Sequence, residues 1–229
     1  MCRASCDGKL RRVAIHIREK RLDACFPPSD PLSCLVFRLA VLKEDLTIEF
    51  YGQRVESIDE MDRGDPLARK LYFTKRSFVT LFAMREVLQD AGSRVQDAIA
   101  LASTTEEKAI AQSLTTLRTT LNRAFEAVKD YRHQVAAHLD PEVFGRVLEE
   151  HGALWGEMQV GSRYGGNYWR LAQKASLAAL LPPGTASTET AMSAEALRVA
   201  ELMTDLMKAV MPAIDDLVFT FLVKNGEWR

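Results

Sequence analysis

Apolar residues recur three and four positions apart along most of this 229-residue chain, and proline and glycine mark where each run stops. Leu10, Val13, Ala14, Ile17 and Ala24 predict a first helix over 8–25, closed by Phe26-Pro27-Pro28-Ser29. Asp30 as N-cap with Pro31 at the first helical position opens a second over 32–51. Its inward stripe is Leu32, Leu35, Val36, Leu39, Leu42, Leu46 and Phe50, and Gly52 marks its end. The same signals, Asp65-Pro66 and then Gly92, bound a helix over 66–91 that turns Leu67, Leu71, Phe78, Leu81, Phe82 and Leu88 inward. Ser103 and Glu106 fit a capping box for the longest helix, 104–138. Its stripe runs Ile110, Leu114, Leu117, Leu121, Phe125, Val128 and Val135.

Asp140-Pro141 closes that helix and opens a short one to His151, with Leu139 and Phe144 spaced for a hydrophobic staple. Gly152, Gly156, Gly161, Gly165 and Gly166 then break up a loop-like region, with helix again over 168–181 and a polar connector over Thr185–Thr190. Ser193 caps a final helix to 224 with Val199, Met203, Leu206, Val210, Ile214, Leu217 and Phe221 inward and a kink expected at Pro212. No run alternates long enough to predict a strand. The expected fold is all-α: an elongated, mostly antiparallel bundle of four long helices (32–51, 66–91, 104–138, 193–224) plus short accessory helices. A single domain over 1–229 is expected, with 1–29 an N-terminal extension bearing a basic helix and 152–192 an accessory region and connector.

The charge balance changes this picture little: 30 basic and 31 acidic residues give no global field that would gather nucleic acid or anionic membrane. An RNA-directed role would need a local patch. The basic stretch from Arg3 to Arg21 reads as a solvated helix face. The first residues lack the apolar core of a signal peptide, and Val210–Val223 is interrupted by Pro212, Asp215 and Asp216, so the expected location is cytoplasmic. Cys2, Cys6, Cys25 and Cys34 match no zinc spacing; Cys34 is expected in the core and the others inert. No metal and no cofactor are expected. Trp155, Tyr164, Tyr168 and Trp169 could stack bases but read as packing for the glycine-broken region.

Chemistry concentrates in Tyr131-Arg132-His133-Gln134-Val135-Ala136-Ala137-His138. Of four histidines, His16 falls on the basic stretch and His151 at a helix end where a cation suits the dipole. His133 and His138 lie within this segment instead. At 100° per residue Arg132 falls between Val128 and Val135 on the apolar stripe, where a guanidinium costs desolvation unless an anion meets it. His138 lies about 120° round the helix from it on ideal geometry, in the last turn before Asp140-Pro141.

This segment resembles the HEPN superfamily, whose motif is Arg, four to six residues, then His, with Asn, Asp or His following the Arg. Arg132, five intervening residues and His138 fit, and His133 is the polar second residue. The Val-Ala-Ala-His-Leu-Asp run is most similar to abortive-infection-type members. The resemblance implies a helical bundle and a metal-independent ribonuclease of toxin–antitoxin, abortive-infection or other anti-phage systems. It implies His138 as general acid/base, Arg132 as phosphate and transition-state stabiliser, His133 as orienting or phosphate-contacting, and Tyr131 as a supporting hydroxyl. Read from the residues alone, Tyr131 is an interface aromatic before it is a supporting hydroxyl, and the alternative for Arg132 with His138 is a structural pair satisfying the helix end. RNA is the implied partner, with an antitoxin or nucleotidyltransferase beside it. A homodimer is expected, with the Tyr131–His138 end at its interface. The alternative function is a non-catalytic helical interaction module: an inactive relative or an adaptor.

Overall fold

The computed structural model describes residues 20–54, 66–131, 141–154, 158–159, 168–182 and 184–227. Among them are eight helices: α1 (Leu22–Cys25), α2 (Ser33–Arg54), α3 (Pro66–Asp90), α4 (Gly92–Ala100), α5 (Thr105–Tyr131), α6 (Pro141–His151), α7 (Arg170–Ala178) and α8 (Glu189–Lys224). The all-α expectation holds. The bundle's direction follows from side-chain pairs. Gln53 donates to Ser77 (3.1 Å), Thr80 donates to Glu49 (2.8 Å), and Arg38 pairs with Asp90 (3.7 Å), so α2 and α3 run antiparallel. Gln53 meets Thr204, Lys43 meets Asp215 and Asp30 meets Lys224, so α2 and α8 are antiparallel too. Tyr131 bonds Glu195 at one end of α8, while Ile110 shares a pocket with Lys224 at the other, which sets α5 antiparallel to α8. Four long helices thus alternate in direction, the arrangement in which neighbouring dipoles oppose.

The buried side chains form one core, with Leu39, Leu46, Phe78, Met84, Leu114, Leu117, Met203, Ile214 and Leu217 among its largest fully enclosed members. α8, 36 residues and about 54 Å long, supplies buried residues from Met192 to Phe221 and packs on α2, α3, α5 and α7. It runs unbroken through Pro212, which is exposed. A polar seam crosses the apolar α2–α3 contact. Glu49, Gln53, Ser77 and Thr80 are all buried, and burial pushes the Glu49 carboxyl up from its ordinary value, against the Thr80 hydrogen bond and Arg76. Such a seam rewards one register of the two helices, because a slip would strand buried polar groups.

Several boundaries depart from the sequence reading. Gly52 does not stop α2; it lies inside it, where a Cβ would stand 2.6 Å from a ring carbon of Phe73 on α3. Its role is close helix approach. α3 ends at Asp90, as the Gly92 stop predicts, and Gly92 also begins a further helix, α4. The capping box of α5 sits one residue later than expected. Thr104 accepts from the Glu107 N–H (3.1 Å), and Glu107 accepts from the Ser103 and Thr104 N–H groups (2.9 and 3.1 Å). Thr188, not Ser193, caps α8, accepting from the Ala191 N–H (3.1 Å). Cys34 is exposed, because Leu32, Leu35, Val36 and Leu39 take the inward face of α2. His151 ends α6, as expected, and is buried there. A two-residue ribbon, β1 (Met158–Gln159) with β2 (Tyr168–Trp169), precedes α7, so the helix expected from 168 starts at Arg170.

The first described residues are stapled to the far end of α8. Asp30 accepts from the Leu32 N–H (2.8 Å) as the expected cap and also pairs with Lys224 (2.6 Å). Phe26 stacks on Phe221 (6.0 Å), and Asn225 donates to the Cys25 carbonyl (3.1 Å). The greater part of the basic extension, residues 1–19 with Cys2, Cys6 and His16, lies outside the described residues. Within the accessory region, Leu177, Ala178, Ala179, Leu180 and Leu181 all enter the common core. Among the described residues no helix is long and apolar enough to cross a membrane.

Candidate functional site

Of the four residues singled out by sequence, Tyr131 is described; Arg132, His133 and His138 lie outside the described residues. Tyr131 is the last residue of α5 and half-buried, with its ring packed on the core. Its position follows from the stripe of α5: Leu114, Leu117, Leu121 and Ala124 are buried against α8, and Tyr131 continues that face. The ring fills the gap between α5 and the first turns of α8.

There the phenol meets a pair that sequence reasoning did not single out. The Tyr131 hydroxyl donates to Glu195 Oε1 (3.2 Å). Arg198 forks the same carboxylate, Nε to Oε2 at 2.9 Å and Nη2 to Oε1 at 2.6 Å, and its guanidinium carbon lies 5.3 Å from the Tyr131 ring centroid. The Glu195 side chain is only 14% exposed, and burial pushes its pKa up from the ordinary value. Glu195 and Arg198 stand three apart on α8, a spacing common on any helix surface, so nothing in the sequence set them apart.

This triad holds the Tyr131 turn of α5 on α8. It ties the backbone that leads directly into Arg132 to α8 through a buried ring, a hydrogen bond and a cation–π contact, each worth about 0.5–1.5 kcal/mol in such settings. Tyr131 therefore acts first as an interface aromatic, the plainer of its two sequence readings. Its hydroxyl still has a lone pair with which to accept. Downstream, α6 begins at Pro141, where the sequence predicts the motif's helix to have ended. α6 packs on α7 and α7 on α8, so elements on both sides of the motif join the same α8-centred core.

Among the described residues no group of His, Cys, Asp and Glu side chains is placed to hold a metal ion. Trp155 and Tyr164 also lie outside the described residues. No family model, curated protein or solved structure matches the chain.

Proposed function

We propose that this protein is a metal-independent endoribonuclease acting in the cytoplasm as a toxin or anti-phage effector. The observation that carries the reading is the Arg132–five residues–His138 spacing, with His133 second, directly following Tyr131, whose side chain is anchored on α8. The reaction needs a proton taken from the RNA 2′-hydroxyl, charge stabilised on the phosphorane, and a proton given to the leaving oxygen. The 2′-oxygen–phosphorus bond forms and the phosphorus–5′-oxygen bond breaks, leaving a 2′,3′-cyclic phosphate and a 5′-hydroxyl. Histidine titrates near neutral pH and suits the proton transfers, the role of His138. Arginine stays charged and presents a fork to phosphate oxygens, the role of Arg132. His133 orients the phosphate. An antitoxin or a nucleotidyltransferase is the class of partner that would restrain such an activity.

A second reading has its own support. On α2, Phe37, Val41, Ile48 and Tyr51 are spaced by four, seven and three, and all are exposed, Ile48 and Tyr51 by more than 60%. An uncovered apolar stripe at helical spacing suits a non-catalytic interaction module. Induced expression separates the two. Wild type is expected to slow growth, Arg132→Ala or His138→Ala to relieve it, and His133→Ala to relieve it less. Equal toxicity from a well-folded double variant favours the module.

A further inference from the structure

A cleft of about 530 Å³ opens where the end of α3, the start of α4 and the middle of α5 meet. Its base is apolar, built from Leu88, Val95 and Leu121, all buried. Its walls are not. Arg85 and Gln89 stand four residues apart on α3, Arg118 and Asn122 four apart on α5, and Gln96 comes from α4. Four-residue spacing sets each arginine and its amide on one helix face. Among the described residues no carboxylate lines the cleft, and Asp90, next along α3, is turned to Arg38. Arg85 Nε is buried with no hydrogen-bond partner, while its guanidinium carbon sits 3.7 Å from the Phe125 ring centroid.

Two arginine side chains line one cavity with no carboxylate among its lining residues, an unfavourable pairing of like charges, and the buried Arg85 Nε–H adds the cost of an unmade bond. An anion in the cleft relieves both. We infer that this cleft binds a small phosphate dianion, free or as a monoester. The cleft falls in the size range of small-ligand sites, roughly 300–1,000 Å³. Two positive charges match a phosphomonoester dianion better than a diester, which carries one. An arginine fork pairs with two phosphate oxygens, the second arginine can share one of these and reach the third, and the three amides supply further N–H donors and acceptors for neighbouring hydroxyls. The near-zero net charge of the chain also favours a small ligand over a polyanion, which would be gathered by excess Lys and Arg. The site is separate in sequence from Tyr131–His138 and stands whether or not the chain cleaves RNA.

Titration calorimetry on the full chain tests it, with inorganic phosphate and glycerol 3-phosphate as probes. Saturable one-to-one binding is expected, weakened about tenfold or more in Arg118→Gln and in Arg85→Gln. Arg118 is exposed, so its variant keeps the wild-type circular dichroism spectrum, and the exposed Arg123→Gln on the same helix leaves binding unchanged. Tighter binding of the ester places its organic part against the amides, and equal binding assigns the site to free phosphate; both bear out a phosphate-dianion site. No saturable binding of either probe overturns the inference, as does binding unchanged in Arg118→Gln.

Discussion

Glu107 shows how much one side chain does at a helix start. It accepts from two backbone N–H groups and the Ser103 hydroxyl, and these bonds hold its pKa down at about 2. A carboxylate depressed in the folded state contributes stability that is fully present above its ordinary value of 4.5 and is lost as pH falls through about 2. Urea melts of Glu107→Ala should therefore lie below wild type at neutral pH and converge on it as pH approaches 2; a gap that does not narrow would contradict the cap. Thr104→Ala should cost about 1 kcal/mol. The sequence contains two overlapping pairs at capping-box spacing, Ser103 with Glu106 and Thr104 with Glu107. Spacing cannot choose between them, since the choice depends on which residue leaves the helical backbone conformation. The same limit hid Glu195: in a surface-type i,i+3 pair its carboxylate is largely covered, with Tyr131 bonded to it, while Arg198 stays exposed.

At the level of elements, the long helices were legible because their stripes are long and their ends are punctuated. Glycine is hard to read by pattern, because its lack of a side chain serves two different purposes. Gly52 was read as a stop, but it is a contact point: Phe73 fills the space that a Cβ would need. Gly52→Ala should destabilise by about 1 kcal/mol or more, overpacking outweighing the helix-propensity gain of roughly the same size. Gly145 inside α6 meets nothing within 4 Å at the Cβ position, so Gly145→Ala should instead stabilise by about 0.5–1 kcal/mol. Thermal melts of the two variants should move in opposite directions. The β1–β2 ribbon could not be seen in the pattern, because two residues per strand give no alternation to detect.

For the whole molecule, the alternation of α2, α3, α5 and α8 was predicted, and the polar seam and the Asp30–Lys224 staple that fix its register were not. Those depend on which polar residues meet across helices, which periodicity does not encode. Arg132 falls on the stripe of α5 by sequence, and one chain offers a single Arg132 and a single His138 to a phosphate. A two-fold pair would bring two of each to one cleft. Light scattering after gel filtration should give twice the monomer mass, and mixing Arg132→Ala with His138→Ala chains should restore partial cleavage. A monomer that still cleaves RNA would contradict the shared cleft. The central claim is tested most directly by the ends that the purified chain leaves on a labelled single-stranded RNA in the presence of EDTA. The account predicts 2′,3′-cyclic phosphate ends, abolished by either Arg132→Ala or His138→Ala; intact RNA with the wild-type chain, or cleavage by both variants at the wild-type rate, would contradict it.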